Sequence, residues 1–120
     1  MTPFGKALRK LRIDRELLLG DMAERLKISP SYLSQIETGK KPIPDGFVDK
    51  LRAALRLTDV ELVDVRHHAV ISTSEFKIQL GDRANANDKV LADALATEFA
   101  RLSPDAKERI AKVINGGRGG

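Results

Sequence analysis

Apolar residues recur along the first half of the chain at the spacings of short amphipathic helices. Phe4, Leu8 and Leu11 follow one another at intervals of four and three, which predicts a helix over residues 3–16 with one buried stripe. A second helical stretch, with Met22, Ala23 and Leu26 inward, occupies Leu19 to Lys27. Ser29 is a good N-cap and Pro30 suits the first helical position, so a third helix begins there and runs through Tyr32, Leu33 and Ile36 to Thr38, where Gly39 ends it. The stretch Gly39 to Pro44 is a loop stiffened by Pro42 and Pro44. Asp45 is then placed to cap a fourth helix, which buries Phe47 or Val48 with Leu51 and Leu55. Thr58 and Glu61 have the spacing of a capping box and open a fifth helix through Leu62 and Val65, ended by His67 and His68.

Beyond residue 70 the pattern changes. Phe76, Ile78 and Leu80 alternate with Lys77 and Gln79 before Gly81-Asp82, which predicts a short strand from Glu75 to Leu80. Asn87-Asp88 opens a helix whose Leu91, Leu95, Phe99 and Leu102 form an apolar stripe. Ser103-Pro104 stops that helix and starts a last one, burying Ile110, Val113 and Ile114 and ended by Asn115 and a left-handed Gly116. The expectation is a mainly α chain: a five-helix domain over residues 1–69, a strand and two helices over 70–115, and a disordered tail over 116–120. So short a strand needs an edge to join, and pairing with a second copy supplies one. Phe76, Ile78, Leu80, Leu91, Leu95, Phe99 and Leu102 are therefore the expected dimerisation residues.

Composition narrows the chemistry. The 120 residues include no cysteine, so disulfides, thiolate metal sites and thiol nucleophiles are excluded, and two adjacent histidines do not make a metal site. No cofactor is called for. No paired carboxylates with a base, nucleophile elbow or glycine-rich phosphate loop support an enzyme. Apolar runs reach only three residues, as in Leu17 to Leu19, against the roughly 20 that a membrane helix needs, so a soluble cytoplasmic protein without a membrane role is expected. The net charge is +4, most of it from the first 70 residues, where 13 basic side chains face 10 acidic ones. Lys6, Arg9, Lys10, Arg12 and Arg15 make the first helix basic, suited to lie beside a polyanion or simply to be solvated.

Two short helices joined by a tight turn can project the second from the surface. Leu33 and Ile36 set the buried side of that second helix, leaving Ser31 and Thr38 opposite the core and Ser34 and Gln35 on its flanks. This face is small, polar and uncharged, able to donate to and accept from base edges without non-specific adhesion. Lys40 and Lys41, just beyond it, are placed for phosphates.

The residues Met22-Ala23, Ile28-Ser29, Tyr32-Leu33-Ser34-Gln35-Ile36-Glu37 and Gly39 resemble the phage repressor and Cro (XRE-like) helix-turn-helix family over about residues 4–66. The resemblance implies a DNA-binding transcriptional regulator, usually a repressor that binds double-stranded operator DNA as a homodimer. It makes Ser31 and Gln35 the main base-reading positions, with Ser34 and Tyr32 flanking them, and Ser29, Thr38, Lys40 and Lys41 phosphate-binding ones. Tyr32 either stacks on the sugar-phosphate backbone or covers the core edge. Glu37, a carboxylate on a DNA-facing helix, needs a partner, and the resemblance suggests Arg12. The family's polar anchor at the start of the second helix is replaced by Leu18, Leu19 and Gly20, and Lys27 stands where the turn often has glycine, at a cost of roughly 1 kcal/mol. The competing expectation is an antitoxin or similar interaction protein, whose C-terminal region binds a protein partner.

Overall fold

The computed structural model describes residues 1–117, whose regular elements are all helical: seven α-helices and one short 3-10 turn among those residues. The chain divides into two compact units, Met1–Phe76 and the residues from Lys77 onward.

The first unit holds α1 (Pro3–Asp14), α2 (Leu19–Leu26), α3 (Pro30–Thr38), α4 (Phe47–Leu55) and α5 (Asp59–Ile71). One apolar core joins them: Phe4, Leu8 and Leu11 from α1, Met22, Ala23 and Leu26 from α2, Leu33 and Ile36 from α3, Leu51 and Leu55 from α4, and Val65 from α5. Phe47 is the buried member of the Phe47-Val48 pair and meets the Phe4 ring edge-on at 5.8 Å. Each helix start has its own chemistry. Thr2 caps α1, its hydroxyl accepting the Gly5 N–H at 3.0 Å, and Pro3 takes the first helical position. Ser29 accepts the Tyr32 N–H at 3.0 Å and Pro30 opens α3. At α5, Thr58 and Glu61 exchange hydrogen bonds of 2.9 and 3.1 Å. The ends of the unit are tied where the Phe4 N–H, a free donor of the first helical turn, reaches Ser72 Oγ at 2.9 Å.

α4 departs from the expected start. Asp45 does not cap it. Gly46 occupies that position at φ +76° with no side-chain bond to the helix, because the turn after Pro44 needs a left-handed residue there. The turn between α2 and α3 places Lys27 in the left-handed region, φ 59° and ψ 40°, held by the Ile28 N–H to Ala23 carbonyl bond that closes the helix.

Arg15 and Glu61 form a two-pronged pair at 2.9 and 2.8 Å between α1 and the start of α5. The Arg15 guanidinium, with the Thr58 N–H, lowers the Glu61 carboxyl from 4.5 to about 2. A carboxyl depressed in the folded chain contributes stability that is fully present above its ordinary value and lost as pH falls through its folded one. Acid titration of Glu61→Gln, read by circular dichroism, is therefore expected to show a smaller stability loss than the parent between pH 4.5 and about 2. Equal losses would contradict the pairing.

The second unit contains α6 (Ala86–Glu98), the 3-10 turn Phe99–Arg101 and α7 (Pro104–Gly116). The expected strand is absent: Glu75 to Leu80 is irregular, with Phe76 65% exposed and Ile78 and Leu80 exposed as well. Alternation makes a strand only where a neighbouring strand takes up its backbone groups, and none lies among the described residues. α6 begins earlier than Asn87-Asp88, at an Asn85 cap that accepts the Asp88 N–H at 2.9 Å. It ends at Glu98, so Phe99 and Leu102 fall outside it and the four-residue stripe is broken. α7 does start at Ser103-Pro104, but it buries none of its apolar residues: Ile110 is half-buried, and Val113 and Ile114 are exposed. Its end is not a left-handed Gly116 but Gly117 at φ −93°. Of the expected tail, Gly116 is helical and residues 118–120 lie outside the described residues.

Candidate nucleic-acid interface

α3 is fixed to the core by Leu33 and Ile36, both essentially without solvent exposure. That orientation leaves Ser31 and Ser34 exposed and Gln35 half-buried, with Thr38 exposed one turn further on. The Ser31, Ser34 and Gln35 side chains present hydroxyl and amide groups and no formal charge. Thr38 differs, because its hydroxyl donates to the Ser34 carbonyl at 3.0 Å and leaves only lone pairs for an incoming donor. Ser29 spends a lone pair on its own cap and keeps its O–H for an acceptor such as a phosphate. Tyr32 is half-buried against the core and lines a shallow groove of about 190 Å³ with Leu26, Ile28, Pro44, Phe47 and Lys50. This position is the core edge.

Gly39 ends α3 at φ +82°, and the chain turns back so that the Lys41 N–H donates to the Gln35 carbonyl at 3.1 Å. Lys40 and Lys41 are consequently held, exposed, at the carboxyl end of α3. Two lysines there also complement the negative end of the helix dipole.

The far end of α3 is anchored twice through one residue. The Glu37 carboxylate, 2% exposed, meets the Arg12 guanidinium, 8% exposed, through both oxygens, one bond measuring 3.0 Å. Arg12 also lies 3.4 Å from Met22 Sδ, which links α1, α2 and α3 at one point. The Glu37 carbonyl accepts from both the Thr2 N–H at 3.1 Å and the Thr2 hydroxyl at 3.0 Å. Gly5 lies directly beneath, where a Cβ would stand 2.2 Å from that carbonyl oxygen. Thr2 and Gly5 escaped the sequence reading. A glycine inside an otherwise regular amphipathic helix, three residues after a Thr-Pro start, was the available signal.

The basic first helix is less basic at its surface than in sequence. Arg12 is consumed by Glu37 and Arg15 by Glu61, leaving Lys6, Arg9 and Lys10 exposed. At the start of α2 the Leu18 N–H donates to the Asp21 carboxylate at 2.8 Å, and Leu18 itself is exposed. This end offers a carboxylate and an apolar side chain, not a polar phosphate anchor. The expected dimerisation residues belong to different environments: Phe76, Ile78, Leu80, Leu91 and Phe99 are exposed, and Leu95 and Leu102 are half-buried. Among the described residues, no three His, Asp or Glu side chains cluster as a metal site, and no helix is long and apolar enough to cross a membrane.

Residues 3–65 match a family model described as a helix-turn-helix domain. Over 69 residues the chain is 36% identical to the uncharacterized HTH-type transcriptional regulator RghRB of Bacillus subtilis (strain 168), covering 57% of this chain and 50% of that protein. Over 58 residues it is 36% identical to the HTH-type transcriptional repressor RghR of the same organism, covering 48% of this chain and 43% of that protein. The chain thus spans about half the length of these curated relatives. It is also similar to the crystal structure of the clp gene regulator ClgR from C. glutamicum, at 32% identity and a TM-score of 0.48, covering 60% of this chain and 90% of that one.

Proposed function

We propose that this chain, which belongs to the helix-turn-helix domain family, is a sequence-specific DNA-binding transcriptional regulator that represses from an inverted-repeat operator as a homodimer. The observation that carries the reading is the uncharged face of Ser31, Ser34 and Gln35 on a helix capped by Ser29 and locked at Glu37. Such a face is suited to the major groove, whose base edges present donors and acceptors in patterns that differ between base pairs. Lys40 and Lys41 beyond its carboxyl end, with the Ser29 hydroxyl at its amino end, contact phosphates and set register. Ser31 and Gln35 read bases, Ser34 supports them, and Tyr32 braces the helix from the core edge.

Repression is the activity named for one relative, RghR, and is carried to this chain by that similarity alone. The homodimer is supported by the second unit, where no described side chain is buried and Leu91, Phe99, Val113 and Ile114 remain exposed. Helices of 13 residues are marginal in water unless an apolar face is covered, and a second copy covers it. Selection from random duplexes with the full-length chain tests operator and symmetry together. The expected product is an inverted repeat with half-sites about one helical turn apart. Enrichment of a single unrepeated site would overturn the homodimer, and no enrichment at all would overturn the DNA reading.

A further inference from the structure

The Thr38 hydroxyl is committed as a donor inside its own helix. It donates to the Ser34 carbonyl at 3.0 Å and lies 3.3 Å from the Gln35 carbonyl, the back-bonding to which threonine in a helix is prone. What Thr38 offers outward is therefore an oxygen with a free lone pair, beside a methyl group. Seven residues separate it from Ser31, about 20° short of two full turns, so the two share a face with Ser34 and Gln35 between them. Both are exposed.

Phosphate is a poor match for this side chain. Phosphate oxygens accept hydrogen bonds, and Thr38 can donate to one only by giving up its bond to Ser34. The last turn of α3 also ends in backbone carbonyls, the negative pole of the helix, which disfavours an anion there. Lys40 and Lys41, exposed just beyond, carry the cations that an anion needs.

We infer that Thr38 is a base-reading residue, whose Oγ1 accepts a hydrogen bond from the exocyclic amino group of an adenine or cytosine in the major groove. The inference rests on the DNA-binding reading above and replaces the phosphate role that the family resemblance implies at this position. Major-groove donors are adenine N6 and cytosine N4, whereas thymine O4 and guanine O6 and N7 accept. An oxygen that can only accept is satisfied by the first two bases. Against the others it faces a second acceptor, and that unpaired contact discriminates as much as the bond itself. Thr38 lies about 10 Å along the helix axis from Ser31, at 1.5 Å per residue. Three base pairs rise by about the same distance, at roughly 3.4 Å each. The read sequence therefore extends past the bases facing Ser31 and Gln35 by one position selective for an amino group.

Thr38→Val tests this, because valine keeps the branched shape and has no lone pair, and a substitution at an exposed position leaves the fold intact. Parent, Thr38→Val and Thr38→Ser chains are titrated over a range of salt with the selected duplex and a scrambled one. A further series of selected duplexes carries purine for single adenines, or 2-pyrimidinone for single cytosines, so that one amino group is missing from each. Thr38→Val is expected to bind the selected duplex about 5–150-fold more weakly and the scrambled one within about twofold, with an unchanged salt slope. Thr38→Ser, which keeps the oxygen, should bind as the parent does. One amino-group deletion should weaken the parent by a similar factor and leave Thr38→Val unaffected, and the base concerned identifies the letter read. Equal weakening of Thr38→Val on both duplexes, with a salt slope smaller by about 1, would mark a phosphate contact and overturn the inference. Unchanged binding by Thr38→Val would overturn it too, as would the same response of parent and variant to every amino-group deletion. A parent that does not distinguish the selected duplex from the scrambled one would overturn the DNA reading as well.

Discussion

Glu37→Ala is expected to destabilise the first unit by about 3–5 kcal/mol, among the largest effects any single side chain here can produce. The Glu37 carboxylate and Arg12 guanidinium are both buried, in two-pronged contact, with the Met22 thioether against the cation. Truncating Glu37 leaves a buried guanidinium with no counter-charge and, of its two contacts, only the Met22 thioether. The cost arises from that stranded charge, not from the pair's own worth. Replacing both partners by methionine is accordingly expected to cost far less than either single change, since well-packed apolar groups of similar volume often substitute for a buried ion pair without loss. Urea unfolding followed by circular dichroism gives the full cycle, with a coupling energy as its result. A single-variant loss below about 1 kcal/mol, the range of an exposed pair, would refute the buried clamp.

Gly5→Ala is expected to cost about 3 kcal/mol, the upper range for overpacking, despite alanine's better helix propensity. A Cβ at this position stands 2.2 Å from the Glu37 carbonyl oxygen and 2.9 Å from its carbon, so α1 and α3 must separate. Separation also lengthens both bonds from Thr2 to that carbonyl, which hold the end of α3. Gly20→Ala is the control. Nothing lies within 4 Å of its Cβ, and it should stabilise α2 by about 0.5–1 kcal/mol. If both glycines tolerate alanine equally in thermal unfolding, the close approach of α1 and α3 is not as described.

The first unit was legible in sequence because its signals are local and agree with one another. Ser29-Pro30 and Gly39 bracket α3, Thr58 and Glu61 open α5, and the 3.6-residue period selects the core side of each helix. The Asp45 cap failed because a single glycine, Gly46, determined the turn geometry. At Gly5 the sequence shows a glycine inside an amphipathic helix but not what that glycine approaches, since this depends on where the end of α3 falls, a tertiary fact. The segment Glu75 to Leu80 misled for the opposite reason: it has the period of a strand but no neighbour to pair with.

That α3 reads bases through Gln35, while Lys41 holds phosphates, is tested most directly by titrating parent, Gln35→Ala and Lys41→Ala chains with the selected duplex and a scrambled one over a range of salt. Gln35→Ala is expected to lose roughly 1–3 kcal/mol on the selected duplex and little on the scrambled one, and Lys41→Ala to weaken both and reduce the salt slope by about 1. If Gln35→Ala weakens both duplexes equally, or neither, α3 does not read bases through Gln35.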